Sequence, residues 1–412
     1  MKILIISQYF WPENFRINDL GAGLVERGHE VTVLTGIPNY PDGHFFPGYS
    51  LFRNLRQDYC GVRIIRVPLI ARGAGGRLRL MLNYASFAFF ASMMAPFFCR
   101  GNFDVILVYE PSPVTVGIPA VVLKKLKGIP LFFWVQDLWP ESLSATGAVH
   151  SRTILDGVKR LVRFIYERCD RILVQSTAFI PMIEEYRVAP GRIIYFPNSV
   201  EKIYKPMPAE SGFEGLQRLP SGFRIMFAGN IGAAQDFESI LAAAVKLREY
   251  KDIQWIILGD GRSRRWVEGQ IAKQGISDCF HLLGRHPMET MPYYFSFADV
   301  LLVTLKRDPI FALTIPAKIQ SYMACGKPII AALDGEGGRL VSESGAGLSS
   351  PAEDADALAA AVLAMYQMPR DQREKMGKCG IHYCVENFDR DMLMTKLEGW
   401  MQDVAHGRKT GN

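Results

Sequence analysis

The chain has 412 residues, of which 49% are hydrophobic and 21% charged, with a formal net charge of +6. This composition excludes a disordered polymer, and the length exceeds one ordinary core, so two domains of about 200 residues each are expected. The seven cysteines (60, 99, 169, 279, 325, 379 and 384) are scattered without a C-x-x-C pair, which argues against a disulfide framework or a zinc site and for a reducing compartment.

The first residues run straight into an apolar strand, 2–6, with no basic n-region or small-residue cleavage site before it; the expectation is a cytoplasmic protein. A helix near 16–27 and a strand at 30–35 follow, then a loop over 36–50 (GIPNYPDGHFFPGYS). That loop is long and aromatic enough to line a binding surface, or to be an ordered loop packing its own rings. Further elements are a strand at 62–67, a helix at 78–99, strands at 104–108 and 130–135 around a helix at 114–127, a helix at 151–168, a strand at 171–175, a helix at 176–186 and a strand at 192–195. The strands read as continuous apolar runs, as expected for a parallel sheet covered on both faces.

Charge is uneven. Residues 1–200 hold 22 Lys/Arg against 15 Asp/Glu, and residues 201–412 hold 25 against 26. Arg53, Arg56, Arg63, Arg66, Arg72, Arg77 and Arg79 share their stretch with one acid, Asp58, and lead into the apolar segment 80–98. Three readings stay open: a basic, apolar surface docking on anionic lipid, a core helix behind a solvated arginine loop, or a membrane span. The arginines are not interleaved with stacking aromatics, which disfavours nucleic acid.

After Pro197-Asn198-Ser199 comes a stretch punctuated by Pro and Gly over 201–222, read as a linker. The chain then opens a second time: strand 223–227, the loop Ala228-Gly229-Asn230-Ile231-Gly232, helix 237–249, strand 253–258, helix 263–274, strand 279–283, helix 288–296, strand 299–303, helix 315–325, strand 328–332 and helix 354–367. An amphipathic helical tail over 370–404, with 386–404 free to cross back onto the first domain, closes the chain. Two strand–loop–helix openings imply two doubly wound α/β domains facing a central cleft, 1–200 and 223–385, with ligands beyond the carboxyl ends of the strands.

Neither opening carries G-x-G-x-x-G, and there is no P-loop and no G-x-S-x-G elbow, so a dinucleotide enzyme of the usual kind, a P-loop NTPase and an α/β-hydrolase are disfavoured. In the second half three segments converge at the carboxyl edge: Gly229–Gly232 ahead of a helix, the turn Gly259-Asp260-Gly261 with Arg262, Arg264 and Arg265, and a helix started by Pro316 that puts Lys318 in its first turn. Together they describe a nucleoside-diphosphate pocket made of amides and cations. In the first half Glu13, Asn14 and Arg16 follow the first strand, and Arg16 is placed to touch a diphosphate. Glu110, either acceptor-binding or plain surface, follows the strand at 104–108. Asp137 follows the strand at 130–135, with Glu141 a helical turn beyond Pro140; Asp137 is a sugar contact or a helix N-cap.

The strings FAGNIGAAQDFESILAAA, LGDG, PAKIQSYMACGKPIIAA and IIYFPNSV resemble the family 4 retaining glycosyltransferases, and QYFWPENFRINDLGAGLVERGHEVTVLTGIPNYP with WVQDLWPESL resembles their bacterial O-antigen and capsule branch, which includes the WbuB-like N-acetyl-L-fucosaminyltransferases. The resemblance implies a GT-B fold with a UDP-sugar donor in the second domain, an acceptor in the first, and no metal or other cofactor. The implied acceptor is a polyprenyl-diphosphate saccharide at the inner-membrane surface, so that the protein is peripheral on its cytosolic face. It implies that Asp137, Lys318 and Arg16 form the catalytic set, that Glu13, Asn14, Glu110 and Glu141 serve the acceptor, and that the turn at Glu336, Gly337 and Gly338 lies near the donor sugar. The family's pair of glutamates falls here on Leu313 and Ser321, and its Arg and Lys after the glycine loop fall on Asn230 and Gln235. The departures keep two alternatives in view, a non-catalytic glycosyltransferase-like scaffold and a GT-B nucleotide-sugar epimerase.

Overall fold

A computed structural model describes residues 1–73, 76–145, 149, 151–209, 215 and 219–409. They form two units, Met1–Pro197 with Asp391–Asn412, and Asn198–Arg390.

The first unit runs β1 (Lys2–Ile6), α1 (Arg16–Glu26), β2 (Glu30–Gly36), β3 (Arg56–Tyr59), β4 (Val62–Val67), α2 (Arg77–Phe98), β5 (Val105–Glu110), α3 (Gly117–Lys127), β6 (Leu131–Val135), α4 (Glu141–Ala145), α5 (Arg152–Tyr166), β7 (Arg171–Val174), α6 (Phe179–Glu184) and β8 (Ile193–Tyr195). Its eight strands are ordered β3-β4-β2-β1-β5-β6-β7-β8. All neighbours are parallel except β3, which pairs antiparallel with β4 at the edge. The chain winds outward from β1 through β2 and β4 and resumes on the other side at β5, so the crossover loops diverge beyond the ends of β1 and β5.

The second unit runs β9 (Phe223–Ala228), α7 (Phe237–Lys246), β10 (Ile253–Leu258), α8 (Arg264–Gln274), β11 (Phe280–Gly284), α9 (Met291–Ser296), β12 (Val300–Thr304), α10 (Pro309–Ala312), α11 (Ala317–Ala324), β13 (Ile329–Ala332), α12 (Glu336–Glu343), β14 (Gly347–Ser350), α13 (Ala355–Gln367) and α14 (Arg370–Phe388). Its sheet is all parallel, β11-β10-β9-β12-β13-β14, and it switches direction at β9 and β12. Side-chain alternation feeds two separate cores: Phe223, Ile225, Phe227, Trp255 and Ile257 pack on one face, and Met226, Ile256, Leu258, Leu301 and Val303 on the other. That is why each strand reads as an unbroken apolar run.

Three expectations change. The tail is two helices, α14 and α15 (Arg390–Lys409), separated at Asp389. α15 sets Leu393, Met394, Leu397 and Met401 into the core of the first unit, and its Glu398 accepts from Arg27 at 2.8 and 2.9 Å and lies 2.8 Å from His29 Nε2. The stretch 201–222 is not a free linker where it is described: Tyr204 stacks on Phe295 and Leu219 is buried in the second unit. Its residues 210–214 and 216–218 lie outside the described residues. Finally, α2 is a core helix on one face alone, with Phe87, Ala91 and Ala95 buried and Leu78, Phe89, Met93 and Phe97 exposed.

Candidate active site

In the second unit the loops after β9 and β10 close on each other because neither can carry a side chain at the contact. A Cβ on Gly259 (φ +146°) would collide with the carbonyl of Gly229, and one on Gly261 would collide with that of Ile231. The loops are laced by Ile231 N to Asp260 O at 2.9 Å and Ser263 N to Ile231 O at 3.0 Å. These bonds leave the amides of Asn230 and Gly232 without a partner among the described residues. The helix expected over 237–249 forms over Phe237–Lys246, set off from Gly232. A short 3-10 turn, Ala233–Gln235, intervenes, and α7 starts at Phe237 with its own cap: Asp236 Oδ1 accepts from Ser239 N at 3.3 Å. The amides left open here belong to the loop, while the α7 N-terminus carries its own cap.

Lys318, in the first turn of α11, passes its side chain under Gly229. A Cβ on Gly229 (φ +144°) would meet Lys318 Cε at 2.6 Å, so only glycine leaves the amine its channel. The ammonium lies 3.7 Å from the centroid of the Phe227 ring and donates to Gln235 Oε1 at 2.7 Å. With an aromatic face and a neutral amide for neighbours, burial lowers its pKa to about 7. An incoming diphosphate would supply the missing negative charge.

A third strip completes this edge. Gly335 (φ +73°) lets the loop after β13 press on the carbonyl of Ala312, and Gly337 packs against Leu333, Pro316 and Ile319. The first-turn amides of α12, at Glu336, Gly337 and Gly338, are thus held beside the start of α11 as the orphan donors of a helix N-terminus. Glu336 itself is tied to Arg339 at 2.7 Å. Of the other expected donor contacts, Arg264 is paired with Glu268 at 2.8 Å and Arg262 is exposed. Ser321 is buried, and its hydroxyl returns to Ala317 O at 3.3 Å within α11.

In the first unit the carboxyl ends of β5, β6 and β7 gather buried polar atoms with no hydrogen-bond partner among the described residues: both carboxyl oxygens of Glu110, Thr115 Oγ1, Gln136 Nε2, Trp139 Nε1 and Gln175 Oε1. Unsatisfied groups at this density are costly unless a ligand or water meets them. Glu110 is fully buried, which removes the plain-surface alternative. Burial, then the nearby Asp137, holds its carboxyl well above the usual range. Burial also raises Asp137 to about 7. α4 begins only at Glu141, so Asp137 is not its N-cap, and burial raises Glu141 as well.

Glu13 plays a different part. It is buried, its Oε1 accepts from the amides of Asn39 and Tyr40 at 2.8 and 2.7 Å, and burial raises it to about 7. It therefore anchors the loop 36–50, whose Tyr40 packs with Tyr9 and Phe15. Asn14 is exposed, and Arg16 is half-buried as the first residue of α1. The glycine strips and Lys318 were placed from the sequence. The Lys318–Gln235 bond, Thr115 and Gln175 were not, although Gln175 directly follows the apolar run of β7, the same signal that singled out Glu110.

Residues 14–199 match the family model "Glycosyl transferase 4-like domain" and residues 222–368 match "Glycosyl transferases group 1". Among curated relatives, "Probable glycosyltransferase WbjE" of Pseudomonas aeruginosa is 29% identical over 62% of this chain and 64% of its own length; this chain therefore spans under two thirds of that relative. "Putative colanic acid biosynthesis glycosyl transferase WcaI" of Escherichia coli is 25% identical over 79% of this chain and 82% of its own. The solved structure of Anabaena HepE with UDP-glucose aligns at TM-score 0.70 and 15% identity, covering 98% of this chain and 100% of that one. The fold is GT-B, and the chain carries a glycosyl transferase 4-like domain followed by a glycosyl transferases group 1 domain.

Proposed function

We propose that the chain is a retaining, metal-independent hexosyltransferase. It takes a sugar from a UDP donor held by the second unit and passes it to a polyprenyl-diphosphate-linked saccharide held by the first. The setting is O-antigen or capsular polysaccharide synthesis at the cytosolic face of the inner membrane. N-acetyl-L-fucosamine is the first donor sugar to test, on the resemblance described above. WcaI is named for polysaccharide synthesis and HepE was solved with UDP-glucose, which supports the class of donor and product.

The observation that carries the reading is Lys318: a half-buried side chain whose amine has no carboxylate beside it among the described residues, bonded to Gln235 and set beneath a glycine-closed amide cradle. The leaving diphosphate meets positive charge there and at the amides of Asn230, Gly232 and the first turn of α12, which stabilise it as it departs. Binding the anion favours the protonated amine, so the two charges reinforce each other. In a front-face transfer the leaving phosphate oxygen takes the proton of the attacking hydroxyl, and no protein base is required. The neutral Glu110 then donates to a sugar oxygen, while Asp137, Gln136 and Gln175 fill out the hydroxyl contacts.

The test is transfer from a panel of UDP-sugars to a short-chain polyprenyl-diphosphate saccharide in EDTA, with the product anomer read by NMR. A product that keeps the donor's anomeric configuration supports the proposal. An inverted product, or an absolute need for a divalent ion, overturns the mechanism. Donor conversion without acceptor would make the protein an epimerase, and nucleotide binding without turnover a scaffold.

A further inference from the structure

α2 presents an unpartnered apolar stripe with helical spacing. Leu78, Leu82, Ala85, Phe89, Met93 and Phe97 follow one another at three- or four-residue steps, all exposed, with Phe89, Met93 and Phe97 at 59, 57 and 65%. A helix of 22 residues carries this stripe over about 30 Å, and exposed apolar side chains lined up along one face mark an interaction surface. Only 28% of its most apolar stretch is buried.

Where the stripe ends, the surface becomes cationic. An open recess of about 700 Å³ lies against the edge hairpin, lined by Arg56, Arg63 and Arg100 together with Phe97, Phe98 and a single acid, Asp58. Arg56 sits 5.8 Å from the Phe98 ring centroid, and Arg100 Nε is steadied by the carbonyl of Phe97 at 2.9 Å. Asp58 Oδ1 is engaged by the amide of Gly61 at 3.0 Å. None of the three arginines has an ion pair among the described residues.

We propose that this recess binds the phosphate of an anionic phospholipid while the α2 stripe lies in the acyl–headgroup boundary, docking the first unit on an anionic leaflet. The chemistry is complementary on both counts: guanidinium forks for phosphate oxygens, and exposed Phe and Met beside them for the acyl chains. The inference deepens the lipid-linked acceptor of the proposed function by assigning the surface that meets the bilayer. At the other end of α2, Asn83 accepts from Gln8 at 2.7 Å. The docked helix therefore also reaches the loops beyond the carboxyl end of β1, where a lipid-borne acceptor would be presented.

The test is flotation of the full chain with vesicles of phosphatidylcholine alone and of phosphatidylcholine with phosphatidylglycerol. Binding is expected to need phosphatidylglycerol and to fall about fivefold for each arginine removed in Arg63→Gln and Arg100→Gln. The triple variant Phe89→Ser, Met93→Ser and Phe97→Ser should lose binding by at least about tenfold. These side chains are exposed, so unfolding curves matching the parent confirm that the variants are folded. Equal binding to neutral vesicles, or arginine variants that bind like the parent, overturns the proposal. Saturable binding of inorganic phosphate that leaves flotation unchanged would assign the recess to a free ion and also overturn it. Vesicle binding needs no turnover, so a failed transferase assay and a failed flotation assay are separate results.

Discussion

Lys318 and Gln235, 83 residues apart in sequence, meet at 2.7 Å beneath the loop after β9, amine donating to amide oxygen. The pair explains how a second unit lacking the family's usual cation after the glycine loop still offers one there: the charge arrives from α11, and the residue at the vacated position orients it. Lys318→Ala should lower kcat/KM by at least about 100-fold, the scale of removing one group that meets developing charge. Gln235→Glu should convert the bond into an ion pair and raise the amine's pKa. The positive charge is then already spent, and donor binding is expected to weaken by about tenfold. Steady-state kinetics with varied donor reads both.

The depressed pKa of Lys318 gives donor binding a pH signature. The free amine titrates at about 7, and a bound diphosphate raises it. Between the two values binding takes up a proton, so affinity should fall by up to about tenfold per pH unit above 7. Lys318→Arg keeps its charge throughout and should flatten this slope. Titration of UDP between pH 6 and about 9 checks it.

The glycines were readable as turns, but not the reason for each. Gly229→Ala should bring a methyl against Lys318 Cε, where 2.6 Å is available, at a φ that costs about 1 kcal/mol or more for alanine. The expected result is a loss of donor affinity larger than the loss of thermal stability, measured by UDP titration beside an unfolding curve.

Legibility in the sequence followed the physics of burial. β10 and β5 are buried along their whole length, and their runs of Ile, Leu and Val announce it. β3 (RQDY) is polar and becomes a strand only by pairing with β4 at an edge, and β14 (GLSS) lacks an apolar signal for the same reason. α12 carries glycines at its second and third positions, which propensity disfavours; the close approach of Gly337 to Pro316 and Ile319, and of Gly338 to the carbonyl of Leu333, explains them. Single residues at strand ends, such as Glu110 and Asp137, could be read from position. Partnerships across long separations, such as Lys318 with Gln235 or Glu398 with Arg27, could not.

Glu13 offers a stability test independent of activity. Burial raises its carboxyl in the folded state from the ordinary 4.5 to about 7, so the folded state holds the extra proton. The stability is fully present below about pH 4.5 and is lost as pH rises through about 7. Glu13→Gln keeps an oxygen for the amides of Asn39 and Tyr40 without the charge. It should leave stability unchanged near pH 4 and raise it at pH 8 by a few kcal/mol, on the order of 3 from the size of the shift. Urea unfolding at the two pH values measures this.

Calorimetric titration of UDP into the parent chain and into Lys318→Ala, both in EDTA, tests the central claim most directly. The account predicts binding to the parent without any divalent ion and at least about tenfold weaker binding to the folded variant. Equal affinity in the two proteins, or binding by the parent only after a divalent ion is restored, would contradict it.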